Sequence, residues 1–112
     1  MFERWGDRGT LRILHPPRPV MLDWHALDPS AGRPYGFAPT GVSLRIRASG
    51  ARIESRMPGQ QLAWLRLFDG QWRAVVAVEI ASANGYSRLT VTLLVAPDAV
   101  TVADGKRGQL SD

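Results

Sequence analysis

Few residues of this chain are suited to acid–base or metal chemistry. Its 112 residues include two histidines, His15 and His25, and no cysteine. Asp23 precedes His25 by two residues and would share a face with it in a strand, but two distant imidazoles without a thiolate are a weak basis for a zinc site. The sequence contains no Gly-x-Ser-x-Gly motif and no phosphate-binding glycine loop before a helix. We therefore predict that the protein is not an enzyme and uses no metal and no cofactor.

Arginine offers most of the binding chemistry in the sequence. Thirteen of the 14 basic residues are arginines, and the formal net charge is +4. Guanidinium groups bind phosphate and carboxylate through paired hydrogen bonds, although the codon usage of a GC-rich genome would produce the same bias. Within residues 42–96, seven arginines stand against three acids, and the rest of the chain sums to zero. This segment is therefore predicted to meet any polyanion, in a salt-sensitive contact.

The elements that position these arginines are predicted to be antiparallel strands. Apolar and polar residues alternate through much of the region, which favours strands at 42–47, 52–56, 61–68, 71–80 and 88–95. Asp69-Gly70 separates two of these strands and is a strong hairpin signal. One turn of 3₁₀ helix at 97–99 and a short strand at 100–102 are expected to follow.

Proline sets the N-terminal region apart. Six of the eight prolines lie within residues 1–41, and prolines this dense disfavour long helices and central strands. We predict a proline-rich arm there, with short strands at 11–14 and 20–22, the second of them at a sheet edge. Residues 33–41 are predicted to form a loop that carries two aromatic side chains.

The chain as a whole is predicted to be a single domain: the arm (1–41), a β-meander core (42–103) and a flexible tail (104–112). Short strands with little or no helix favour a mainly β fold, a small antiparallel β-barrel or sandwich. No apolar run approaches the roughly 20 residues that span a bilayer, and the first ten residues lack the apolar centre of a signal peptide. Together with the absence of cysteine, this predicts a cytoplasmic protein without membrane contact.

A two-residue turn at Asp69-Gly70 would fix the register of the hairpin. The outer face would then place Arg66 directly opposite Arg73, between Trp64 and Phe68. Two interpretations are open: the guanidinium groups splay into water while their stems cover the rings, or the pair binds an anion beside an aromatic stacking platform. The other face would be apolar throughout and belong to the core: Ala63, Leu65, Leu67, Trp72, Ala74, Val76, Val78 and Ile80.

The stretch from Pro58-Gly59 through Trp64 to Asp69-Gly70-Gln71-Trp72 resembles a pattern in small actinobacterial proteins, which implies no known activity. It also resembles the first hairpin of SH3-like and Tudor-like barrels. Residues 93–95 followed by 97–100 are similar to the strand, 3₁₀ turn and strand that close such barrels. The resemblance implies an SH3-like barrel as the preferred form of the fold.

The predicted function is that of a non-enzymatic binding module that contacts nucleic acid through a basic and aromatic outer sheet face. The alternative is a protein–protein interaction or self-assembly domain that uses the same face together with the proline-rich arm. The predicted binding residues are Arg45, Arg47, Trp64, Arg66, Phe68, Arg73 and Arg88.

Overall fold

The computed structural model describes residues 4–29 and 42–103. Its strands are β1 (Leu11–Asp23), β2 (Arg56–Arg66), β3 (Trp72–Ala81), β4 (Arg88–Val95) and β5 (Val100–Val102). Two short helices, α1 (Trp24–Leu27) and α2 (Leu44–Ser49), and a 3₁₀ turn (Pro97–Ala99) complete the elements. The predicted loop at 33–41 lies outside the described residues, and so does the predicted tail at 104–112.

All five strands belong to one antiparallel sheet with the order β4-β3-β2-β1-β5. The prediction of a mainly antiparallel β fold with little helix is confirmed. Over the described residues the sheet is not closed, and β4 and β5 are its two edges. Neither described helix is long and apolar enough to cross a membrane.

The C-terminal part of the fold agrees with the sequence pattern. β4, the 3₁₀ turn and β5 occupy the residues predicted for them. Pro97 begins the turn, where its fixed φ suits the backbone and its missing N–H is not needed. The turn is closed by the N–H of Ala99, which donates to the carbonyl of Ala96 at 3.0 Å, and Ala99 itself is buried.

β1 is a single strand of 13 residues rather than the two short strands predicted from its prolines. It pairs with β2 over residues 11–13 and again over 18–23. Pro16 and Pro17 fall in the irregular stretch between, so their missing N–H groups remove no ladder hydrogen bond. Residues 20–22 pair with both β2 and β5, so the predicted edge position is wrong.

The alternation predicts strands at 42–47 and 52–56, and both predictions are wrong. Residues 44–49 form α2, whose first turn is capped by Ser43: its hydroxyl accepts a hydrogen bond from the N–H of Ile46 at 3.2 Å. Residues 52–55 are irregular, and Ala51 makes an isolated bridge to Ser82. Alternation over residues 42–47 favours a strand only where a neighbouring strand pairs with it. No described strand pairs with these residues, and the Ser43 cap stabilises a helix there instead.

The core lies on one face of the sheet, and strands β1 to β4 all contribute to it. Leu22 is the largest of its fully buried side chains. Trp24 of α1 and Ile53 pack against this face from outside the sheet. The buried residues of this core cluster are Val20, Leu22, Met57, Ala74, Val76, Val78, Val95 and Ala99.

The turn between β2 and β3 has three residues, 68–70, and not the predicted two. The N–H of Leu67 donates to the carbonyl of Gln71 at 2.7 Å, and the N–H of Gly70 donates to the carbonyl of Leu67 at 2.9 Å. Gly70 has a φ of +91°, the left-handed conformation that three-residue hairpin turns require at this position. The register therefore moves by one residue. Arg66 lies opposite Trp72, not opposite Arg73, and the predicted arginine pair is wrong.

A bulge at Leu62 alters the faces of β2 further. Ala63 lies opposite Val75, but Gln61 lies opposite Val76, so one extra residue reverses the alternation. Before the bulge in the chain, Gln61 faces the core; after the bulge, Trp64 does. The β3 residues predicted for the core lie on the core side. Ala63, Leu65 and Leu67, the β2 residues predicted for the core face, lie on the other side, although Ala63 is buried there. The predicted register contained neither the three-residue turn nor the bulge.

Candidate functional site

The predicted binding residues divide between the two ends of the sheet. We define the hairpin end as residues 4–18 and 61–75; it contains Trp64, Arg66, Phe68 and Arg73. Arg88 lies opposite Ala81, at the far end of β3. Ala81 is eight residues from Arg73, a separation of about 27 Å along a strand. α2 carries Arg45 and Arg47 and also lies at the far end, where its Ala48 carbonyl accepts from the N–H of Asn84 at 2.8 Å.

The four predicted residues at the hairpin end do not share one face. Trp64 and Arg66 lie on the core side of the sheet, and Trp64 packs against the core. Arg73 lies on the other side, opposite Leu65. Phe68 stands in the turn and is fully exposed. The sheet face that was predicted to combine all of them is therefore not formed.

The core side of the hairpin end instead brings together arginines and tryptophans from three strands. The Cζ atoms of Arg12 and Arg66 lie 4.9 Å and 5.6 Å from the ring centroid of Trp72. The Cζ atom of Arg18 lies 6.0 Å from the ring centroid of Trp64. These distances are typical of cation–π contacts. We call this surface the Arg–Trp platform: Arg12, Arg18, Trp64, Arg66 and Trp72.

The strand register builds the platform. Arg12 of β1 lies opposite Trp64 of β2, and Arg66 lies opposite Trp72 of β3. Side chains directly opposite each other in an antiparallel pair project on the same face. The platform is thus a continuation of the core face, at the end where the apolar core stops and arginine stems cover the indole rings.

The platform arginines differ in how many donors they have already used. Arg18 donates to the side chain of Gln61, which is fully buried and donates in turn to the carbonyl of Ala63 at 3.3 Å. Arg66 donates through Nε to the carbonyl of Gly70 at 3.0 Å. The terminal nitrogens of Arg66, and the whole guanidinium group of Arg12, donate to none of the described residues and remain available to an anion.

Charge is concentrated at the hairpin end. Six arginines and two aspartates lie there, which gives a net charge of +4, and the charges of the other described residues sum to zero. Both aspartates are engaged in turns: Asp69 accepts from the N–H of Gln71 at 3.0 Å, and Asp7 from the N–H of Gly9 at 2.7 Å. Between described residues, ion pairs join Arg52 to Glu54 and Arg88 to Glu79, away from this end. The charge of the hairpin end is therefore not neutralised locally.

Trp5 extends the platform from the N-terminal segment. Its indole N–H donates to the hydroxyl of Thr10 at 3.0 Å, and the carbonyl of Thr10 accepts from the N–H of Arg66 at 2.8 Å. Trp5 is 51% exposed. Sequence analysis missed Trp5, Arg12, Arg18 and Trp72, although a three-residue turn in Phe68-Asp69-Gly70 would have placed Trp72 beside Arg66.

The histidines take part in no constellation of their own. Asp23 caps α1 by accepting from the N–H of Ala26 at 3.3 Å, and His25 is exposed in that helix. His15 is exposed in β1. Over residues 4–29 and 42–103, no three His, Asp or Glu side chains form a group that could hold a metal ion.

No family model, curated protein or solved structure matches this chain. The geometry and the charge of the hairpin end are therefore the basis for the function proposed below.

Proposed function

We propose that this domain is a non-enzymatic module that binds nucleic acid through the hairpin end. The observation that carries the proposal is the pair of guanidinium groups, Arg12 and Arg66, held on Trp72 within a surface of net charge +4. Arginine heads with unused donors bind phosphate. Aromatic rings among such arginines are typical of surfaces that bind nucleic acid strands.

The geometry favours binding by an already ordered surface. Arg66 is fixed by the carbonyl of Gly70 at 3.0 Å and by the ring of Trp72. Arg73, on the other side of the sheet, is held by the carbonyl of Trp72 and by Gln71, at 3.0 Å and 3.2 Å. Side chains that are ordered before binding lose less conformational entropy when they meet their ligand.

We also propose an SH3-like arrangement of the strands. It is supported by the 3₁₀ turn between β4 and β5, which the resemblance implied. It is supported as well by the return of β5, the strand after the 3₁₀ turn, to the side of β1.

A second candidate function is protein–protein interaction or self-assembly, and the opposite face of the sheet favours it. An apolar row crosses four strands there: Ile13, Ala63, Val75 and Leu94. The inner members, Ala63 and Val75, are buried, and the outer members, Ile13 and Leu94, are 41% and 52% exposed; a partner that packs on this face would cover the outer two. Light scattering tests this candidate, since a strict monomer at all concentrations would count against self-assembly.

Titration of fluorescent DNA and RNA, single-stranded and double-stranded, tests the proposed function. Measurements at about 50 mM and about 200 mM salt should show binding that weakens steeply with salt, because phosphate neutralisation releases counterions. The absence of binding to all four probes at the lower salt concentration would contradict the proposal.

A further inference from the structure

We infer that the nucleic acid bound by the hairpin end is single-stranded, with bases stacked on Phe68 and Trp5 and phosphates held by Arg12 and Arg66. This inference rests on the proposed function and adds the form of the ligand and the residues that contact its bases. A single strand presents base faces and phosphates together, whereas a duplex hides its base faces within the stack.

The position of Phe68 has no structural explanation within the fold. It is the first residue of the three-residue turn and is fully exposed. The turn is held by its neighbours, since Asp69 accepts from the N–H of Gln71 at 3.0 Å and Gly70 supplies the positive φ. Polar residues and glycine are usual in such turns. Phe68 therefore presents an aromatic ring at an ordered tip, where a base can stack on it.

Trp5 presents a second aromatic ring at the same end. The hydrogen bond from its indole N–H ties it to Thr10, whose carbonyl accepts from the backbone N–H of Arg66, and the residue remains 51% exposed. A hydrogen bond at the ring edge leaves the π-faces available for contact. The turn and the N-terminal segment thus present one exposed ring each at the hairpin end.

The arginine heads of the platform lie at the same end of the sheet as these rings. The Cζ atoms of Arg12 and Arg66 lie 4.9 Å and 5.6 Å from the centroid of Trp72. They are therefore no farther apart than the sum of those two distances. Phosphates and bases alternate along a single strand, and a surface that offers both arginine heads and exposed rings suits such a ligand.

Within residues 4–29 and 42–103, no element is suited to reading a duplex. α1 and α2 have four and six residues, and α2 lies at the far end of the sheet. A two-stranded ribbon is able to enter a major groove, but β2 and β3 are flanked by β1 and β4 along much of their length. The tip of the hairpin is exposed, and the body of the hairpin is not.

Fluorescence anisotropy with three labelled DNA probes tests the inference. The probes are an oligothymidine strand of about 20 nucleotides, an abasic strand of the same length and a duplex of about 20 base pairs. We expect oligothymidine to bind roughly five- to a hundredfold more tightly than either of the others. Phe68→Ala removes one of the two rings, so it should weaken oligothymidine binding by about fivefold or more, which is part of that difference, and leave abasic-strand binding unchanged.

Two further variants serve as controls. Tyr86→Ala removes another exposed aromatic side chain, in the β3–β4 turn at the far end, and should bind oligothymidine as the wild type does. Phe68→Trp keeps a stacking ring in the turn and should retain the affinity. Thermal melts of all variants establish that each is folded, and none replaces a buried residue.

The outcomes separate the inference from the proposed function. Equal binding of all three probes, or wild-type oligothymidine affinity in a variant that combines Phe68→Ala with Trp5→Ala, would overturn the inference and leave the proposed function intact. If neither these three DNA probes nor the single- and double-stranded RNA probes bind at about 50 mM salt, both would be overturned.

Discussion

Replacing both Arg12 and Arg66 by alanine removes the guanidinium groups that flank Trp72. If each of them neutralises one phosphate of a single strand, the slope of log K against log salt loses about 0.7 per contact. The slope of the double variant should therefore be shallower by about 1.4. Between about 50 and about 200 mM salt, the affinity lost by the variant should be roughly sevenfold smaller than that lost by the wild type.

The matched control is Arg52→Ala combined with Arg56→Ala. It removes the same charge from the far end of the sheet, where Arg52 pairs with Glu54 at 3.0 Å and Arg56 is exposed in β2. Anisotropy titrations of labelled oligothymidine at four salt concentrations give the slope for each protein. The control should keep the wild-type slope.

Stability has to be followed in the same proteins. Each cation–π contact at an exposed site contributes about 0.5–1 kcal/mol, so the Arg12 and Arg66 double variant should lose about 1–2 kcal/mol of unfolding free energy. Circular dichroism melts would measure this loss and give the temperature below which binding is to be assayed. The core lies outside the substituted positions, and we expect the variant to fold.

Equal changes of slope in the two double variants would refute the reasoning. Affinity would then follow the net charge of the protein and not the Arg–Trp platform. A slope that stays at the wild-type value after loss of Arg12 and Arg66 would show that these two residues contact no phosphate.

Three substitutions test the fold, with urea unfolding as the measurement. Gly70→Ala should lower the free energy of unfolding by about 1–2 kcal/mol because a side chain is strained at a φ of +91°. Its control, Gly6→Ala, should be nearly neutral, since the added Cβ would meet nothing within 4 Å. Equal effects of the two would contradict the turn geometry. Gly59→Ala should cost about 1–3 kcal/mol, since its Cβ would lie 2.9 Å from Cγ1 of Val76, and an unchanged midpoint would place Gly59 away from the core. Leu22→Ala should cost about 2–5 kcal/mol, and a smaller loss would mean that the site is not fully buried.

The sequence predicts those parts of the fold in which a local signal and the tertiary structure agree. β4 alternates polar and apolar residues from Arg88 to Leu93, and Pro97 marks the 3₁₀ turn after its end. The place of the β2–β3 hairpin was also predictable from Asp69-Gly70. Its length was not, because glycine takes a positive φ in both two- and three-residue turns, and the difference of one residue changes which side chains share a face.

The candidate site was predictable only in part, for a similar reason. Trp64, Arg66, Phe68 and Arg73 do lie at one end of the sheet. Counting charge along residues 42–96 grouped them with arginines about 27 Å away in the fold. It also left out Arg12 and Arg18, which reach the platform because β1 pairs with β2. Long-range strand pairing is not encoded in any short window of sequence.

The bulge at Leu62 divides β2 into two parts that are held in place by different contacts. Before the bulge in the chain, buried residues such as Met57 and Gln61 fix the strand against the core. After it, Ala63 is buried and Trp64 packs against the core, but from Leu65 onward the turn and the pairing with β3 fix the strand. The residues of the turn are therefore able to diverge in evolution without altering the residues that hold the domain together. For the same reason, the segment from Leu65 to Gln71 is a natural unit to exchange when a domain of this kind is redesigned for another ligand.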